Sequence, residues 1–137
     1  MRLAAKSIIV TGAGSGIGEG IALRLAAEGA RVIVNDINPA AGERVAQAIR
    51  DAGGQARFFC ADVTRSGDVQ ALVAQAVAQH GRLDAVVNNA SLFEYDDVAS
   101  FSVQSMERHW RANTAPAVLL ARALHQGAAD HGERGHR

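Results

Sequence analysis

Short apolar runs alternate with helical stripes along most of the chain. Ser7-Ile8-Ile9-Val10 predicts a buried strand that ends in a glycine cluster. Ile17, Ile21, Ala22, Leu25 and Ala26 then recur at helical spacing, with Gly29 as the stop signal. Arg31-Val32-Ile33-Val34-Asn35 predicts a second strand, closed by Asp36. Asn38-Pro39 predicts an N-cap followed by proline in the first helical turn. The helix behind it shares Ala41, Val45, Ala48 and Ile49 on one inward face and stops at Gly53-Gly54. Phe58-Phe59-Cys60-Ala61 predicts a third strand ending in Asp62. Ser66 is expected to cap a third helix that turns Val69, Leu72, Val73, Ala76 and Val77 inward and ends at Gly81. Leu83 to Val87 predict a fourth strand running into Asn88-Asn89-Ala90. Ser102 opens a long helical pattern through Trp110, Leu119, Leu120 and Leu124, with a kink or break expected just before Pro116. Periodicity fades from His125 to Arg137.

Strands alternating with helices of this length predict βαβ units, hence an α/β fold with a doubly wound parallel sheet of Rossmann type. About four strands are expected, and their unbroken apolar runs call for burial on both faces. With 137 residues, 48% hydrophobic and 20% charged, the chain can build one packed core. Fourteen basic and fourteen acidic side chains leave a formal charge of zero, which argues against a nucleic-acid or membrane-surface partner. The apolar run behind Arg2 and Lys6 is too short for a signal peptide, and no stretch approaches the ~20 apolar residues of a membrane span. A lone Cys60 makes no internal disulfide. A cytoplasmic protein is the expectation.

The glycine cluster carries the chemistry. Thr11-Gly12-Ala13-Gly14-Ser15-Gly16-Ile17-Gly18 lies between the first strand and the first helix. Its spacing is G-x-x-x-G-x-G rather than G-x-G-x-x-G, because Ile17 stands where the third glycine would be. Gly12 permits a sharp exit from the strand, Gly16 a close backbone approach to a pyrophosphate, and Gly18 a helix seated close on the sheet. The amide groups and dipole at the helix start favour phosphate. An ordinary tight turn is the alternative. Asp36, eighteen residues beyond Gly18, weighs against it. A carboxylate there can accept from both adenosine ribose hydroxyls and would repel a 2′-phosphate, so NAD is expected over NADP. No arginine at positions 37 to 39 offers that phosphate a partner. Capping a turn is the other role open to Asp36.

These residues together resemble the short-chain dehydrogenase/reductase family. The glycine cluster is similar to its cofactor motif, Asp62-Val63 to its adenine-contacting pair, and Asn88-Asn89-Ala90 to its fourth-strand motif. Asn113 is similar to the catalytic asparagine of the following helix. Ser91 departs from the usual glycine; Asn-Asn-Ala-Ser resembles the pteridine-reductase branch, whose preference for NADP Asp36 contradicts. The resemblance implies cofactor contacts from Gly12, Gly14, Ser15, Gly16, Ile17, Gly18, Asp36, Asp62, Val63, Asn89 and Ala90. It gives Asn88 side-chain bonds within the sheet, and Asn113 a water in a proton relay. Asp62 as a cap at the helix start and Asn113 as an asparagine tolerated before Pro116 stay open.

Residues 1–124 are thus expected to form a dinucleotide-binding unit, and 125–137 a polar tail or the start of a connection to a fifth strand. The family exchanges hydride between its cofactor and an alcohol or carbonyl, with a tyrosine and a lysine four residues later. Here the sole tyrosine, Tyr95, is followed at that distance by Ala99, and the sole lysine, Lys6, precedes the glycine cluster. The expectation is the cofactor half of an NAD-dependent oxidoreductase acting on a small molecule. The alternative is an inactive homologue that only binds a dinucleotide or pairs with another chain. Val118, Leu119, Leu120 and Leu124 are expected to stay partly uncovered, and the helix carrying Leu119 and Leu124 to form a homo-oligomer contact. No metal site is expected, since His125, His131 and His136 lack ligand spacing. Asn89-Ala90-Ser91 is an accidental glycosylation sequon on this reading, and Cys60 an inert core thiol.

Overall fold

A computed structural model describes residues 1–91, 98–100 and 102–135, with side chains through residue 127. Four strands and their helices follow in alternation: β1 (Ser7–Val10), α1 (Gly16–Ala27), β2 (Arg31–Asp36), α2 (Pro39–Asp51), β3 (Gln55–Cys60), α3 (Ser66–His80) and β4 (Ala85–Val87). Then come α4 (Val103–His109), a π-helical turn (Trp110–Thr114) and α5 (Ala115–Gly135). The sheet is parallel throughout, in the order β3-β2-β1-β4. After β3 the chain crosses back so that β4 lies on the other side of β1. That reversal opens a crevice at the carboxyl ends of β1 and β4.

Alternation along the strands divides the core into two layers. Ile8, Val10, Val32 and Val34 face α1 and α2, meeting Ala22, Ala26, Val45, Ala46 and Ile49. Ile9 and Ile33 face the other way onto Val69, Leu72 and Ala76 of α3 and Leu120 of α5. Each such fully buried Ile or Leu is worth about 1.5–3 kcal/mol.

Local signals mostly act as the sequence predicts. Asn38 Oδ1 accepts from the Ala41 amide at 3.1 Å with Pro39 behind it, and Gly29, Gly53 and Gly81 take positive φ at the helix ends. Ser102 Oγ accepts from the Ser105 amide at 3.1 Å. The break expected before Pro116 is the π-helical turn.

Several expectations are corrected. Ser66 caps nothing with its side chain; it starts α3, while Asp68 Oδ2 accepts from the Asp62 amide at 2.8 Å. On α2 the inward residue is Ala46, not Ala48, which is exposed: Gly42 gives up its side-chain space to the Phe58 ring and turns the face toward it. Ile17 leaves the packed stripe of α1 and stands 77% exposed. β3 and β4 are edge strands and only partly buried, so Cys60 is an exposed thiol rather than a core one. Val118 is exposed as expected, but Leu120 is buried, seated against α3 and the sheet. The helix also continues past Leu124, to Gly135.

Candidate functional site

The crevice at the strand ends is a cleft of about 520 Å³. Gly12, Ser15 and Ile17 form one wall, Asp36 ends β2 with Ile37 after it, and Asp62, Val63 and Thr64 follow β3. Asn89, Ala90 and Ser91 follow β4, and Ala112 closes it from the π-helical turn. Four of these five segments meet there because parallel strands all end on the same edge.

Two glycines of the cluster, one in the loop and one in α1, are sterically obligatory. Gly12 takes φ +62°, and a Cβ there would lie 2.9 Å from Ala90 Cα. Gly18 lies against the Gly12 carbonyl, and its Cβ would sit 2.5 Å from Asn89 Nδ2. Gly16 differs: its φ is +57°, and a Cβ would meet nothing within 4 Å. Open space over a backbone at the start of α1 is the cradle a diphosphate needs. The residues present therefore fit a dinucleotide.

Thr11 joins the two strand ends. Its buried Oγ1 accepts from the Asn89 and Ala90 amides at 3.0 and 3.1 Å and donates to the Val87 carbonyl at 3.4 Å. Asn89 Nδ2 donates back to the Gly12 carbonyl at 3.2 Å. The cross-tie assigned to Asn88 is made by Asn89; Asn88 itself is exposed. Asn35, also buried, donates to the Phe59 and Ala61 carbonyls at 3.1 and 3.2 Å and holds the exit of β3. Sequence reasoning gave Thr11 and Asn35 no role of their own. Each is a polar residue terminating an apolar strand run, which was the available signal.

Asp36 is held on both oxygens. Oδ2 accepts from the Gly14 amide at 2.8 Å and Oδ1 from the Asn38 amide at 2.9 Å. Each oxygen keeps acceptor capacity for a further donor. Asp62 Oδ1 accepts from the Thr64 hydroxyl at 2.6 Å and the Thr64 amide at 2.9 Å, a turn in the loop before α3 rather than a cap on the helix itself, and the residue also lines the cleft. The Thr64 hydroxyl bond, against partial burial, holds the Asp62 carboxyl below its ordinary range.

The family pattern described as short chain dehydrogenase matches residues 6–136. The chain belongs to this family. It is 50% identical over 90 residues to a 2,5-dichloro-2,5-cyclohexadiene-1,4-diol dehydrogenase of Sphingobium indicum, covering 66% of this chain and 35% of that protein. It is 43% identical over 90 residues to the 7alpha-hydroxysteroid dehydrogenase of Escherichia coli K12, with the same coverage. Its fold is similar to a 7 alpha-hydroxysteroid dehydrogenase solved with NADH and 7-oxo glycochenodeoxycholic acid, with TM-score 0.91 and 33% identity, covering 96% of this chain and 51% of that one. A short chain dehydrogenase from Mycobacterium avium gives TM-score 0.94 at 30% identity, over 98% and 51%. The chain spans about a third to about half the length of these short-chain dehydrogenases.

Within the family frame, the other candidates separate. Asn113 lies in the π-helical turn beside the cleft-lining Ala112, with Nδ2 3.3 Å from His109 Nδ1. Tyr95 lies outside the described residues. Of the histidines in the last segment, His125 is exposed on α5, and the side chains of His131 and His136 lie outside the description. Among the described residues no group of three His, Cys, Asp or Glu converges, and no helix is long and apolar enough to cross a membrane.

Proposed function

We propose that the cleft binds NAD(H) and that the chain supplies the cofactor-binding half of an oxidoreductase interconverting an alcohol and a carbonyl on a small molecule. The observation that carries this reading is the Asp36 carboxylate, held beside Gly14 at the cleft wall with acceptor capacity left over. Asp36 takes the two ribose hydroxyls and disfavours a 2′-phosphate. Gly16, with Ser15 and Ile17, gives the diphosphate a close backbone approach, and Gly12 and Gly18 fix the turn that makes it. Asp62 and Val63 flank the adenine, and Asn89 and Ala90 leave room for the ribose. The nicotinamide, when bound, supplies or takes the hydride. Asn113 holds a water on the route of the proton. The helix carrying Leu119 and Leu124 pairs subunits, and the protein works in the cytoplasm.

Differential binding tests the cofactor assignment. NAD is expected to raise the melting temperature more than NADP, and Asp36→Ser to abolish the difference. Equal shifts from both dinucleotides, or none from either, remove the assignment. A second reading, an inactive module that binds the dinucleotide or pairs with another chain, is favoured for the polypeptide alone by one observation. Its sole tyrosine, Tyr95, is followed four residues on by Ala99, and its sole lysine, Lys6, precedes the glycine loop. On that reading the isolated chain shows no dehydrogenase turnover above background.

A further inference from the structure

We infer that Arg44, anchored by Glu19, is a positioning residue that sets the preference for NAD, a proposal that rests on the cofactor reading above. The glycine loop has one residue gripped from both sides. Gly14 donates its amide to Asp36 Oδ2 at 2.8 Å, and its carbonyl accepts from Arg44 NH2 at 3.1 Å. The same Arg44 nitrogen donates to Glu19 Oε1 at 2.6 Å. Three elements converge on that residue: Asp36 ends β2, Arg44 belongs to α2 and Glu19 to α1.

The two bonds act on the two peptide units that flank one Cα. A glycine otherwise ranges over more φ/ψ space than any other residue. Held at both ends, Gly14 keeps its amide aimed at Asp36 Oδ2, and that amide together with the Asn38 amide on Oδ1 fixes the rotation of the carboxylate. Glycine suits this contact, since a Cβ would lie 2.7 Å from Asp36 Oδ2 and 3.0 Å from Ala41 Cβ and would push the carboxylate aside. Among the described residues Arg44 hydrogen-bonds to the Gly14 carbonyl and Glu19 and not to Asp36; its effect on the carboxylate runs through the Gly14 backbone. Glu19 keeps the guanidinium from turning to solvent. Nothing in the short-range pattern indicates this arrangement, because its members are 25 and 30 residues apart.

Arg44 is exposed at 60% and Glu19 partly buried at 24%, and a pair at the surface adds little to stability, so its removal leaves the fold standing. The readout is cofactor discrimination. Arg44→Met is expected to weaken NAD binding about 3- to 10-fold in titration calorimetry and to leave NADP binding within about 2-fold, because a carboxylate held firmly only by the Asn38 amide turns more freely, aligns less often with the ribose diol and repels the phosphate less. Glu19→Gln is expected to shift the ratio in the same direction, and the double variant to lose no more than Arg44→Met alone. Arg44→Lys, which keeps the charge and a donor, is expected to recover part of the ratio. An unchanged NAD-to-NADP ratio in Arg44→Met, or equal weakening of both dinucleotides, overturns the proposal while leaving the cofactor assignment intact. Failure of the unsubstituted chain to bind either dinucleotide overturns both.

Discussion

Two glycines of α1, two residues apart, should respond in opposite directions to the same substitution. Gly18 is buried, and a Cβ there would press on the Gly12 carbonyl and lie 2.5 Å from Asn89 Nδ2. Gly20 is exposed in the same helix, with nothing within 4 Å of its Cβ position. Both Gly→Ala changes gain about 1 kcal/mol of helix propensity. At Gly20 that gain stands alone, so Gly20→Ala should stabilise the chain by about 0.5–1 kcal/mol. At Gly18 the methyl overpacks backbone that cannot rotate away, at about 1–3 kcal/mol. It also forces Asn89 off the Gly12 carbonyl, losing about 1 kcal/mol more. The net expectation for Gly18→Ala is destabilisation of about 1–3 kcal/mol, a fall of roughly 3–12 °C in Tm for a chain of this size. Urea and thermal melts followed by far-ultraviolet circular dichroism measure both variants against the parent. A Gly18→Ala chain as stable as the parent, or a Gly20→Ala chain less stable, would refute the close seating of α1 on the glycine loop.

The remaining predictions concern titration, a thiol and the cofactor. His80 is half-buried with Nδ1 2.6 Å from the Ser7 hydroxyl, and burial first, then the charges of Arg31 and Arg57, lowers its pKa below 6.5. The unfolded chain therefore takes up a proton that the folded chain refuses, so stability should fall as pH drops below about 6.5. The urea midpoint should record that fall and His80→Gln should flatten it; a parent curve already flat between pH 5 and 7 would contradict the buried neutral imidazole. Burial raises the Asp84 carboxyl, but the Arg82 and Ser7 bonds outweigh it and lower it overall, as the Thr64 hydroxyl lowers Asp62, so their contributions are lost only at and below the ordinary carboxylate range near 3.8. Cys60 should react with a disulfide reagent in the native state, one thiol per chain; reaction only after denaturation would return it to the core. NAD should protect against thermal unfolding more than NADP, and Arg44→Met should narrow that difference.

How much the sequence reveals depends on the range of the interaction that decides each feature. The four strands, the helix stops and the Asn38 cap are set within a few residues, and each can be read directly. Gly12, Gly16 and Gly18 are legible because their spacing encodes one local turn. Strand order is not local: whether β3 lies inside or at an edge depends on where the chain crosses back, so an apolar run read as buried leaves Cys60 at the surface. The phase of α2 is settled by the Phe58 ring pressing on Gly42, a contact that periodicity cannot see. Adjacent asparagines look alike in sequence, yet Asn89 bonds the Gly12 carbonyl while Asn88 is exposed, a choice made by the backbone beyond the end of β4. Arg44 is the extreme case. In the sequence it is one more charge on a helix, eight residues beyond Asp36 and outside positions 37 to 39, where a 2′-phosphate partner is sought. The fold brings it to the Gly14 carbonyl, opposite the amide that Asp36 holds. The Asp36 carboxylate can be read from the sequence, but its Gly14 bond and the Arg44 contact behind it cannot, since those exist only after α1, β2 and α2 have packed.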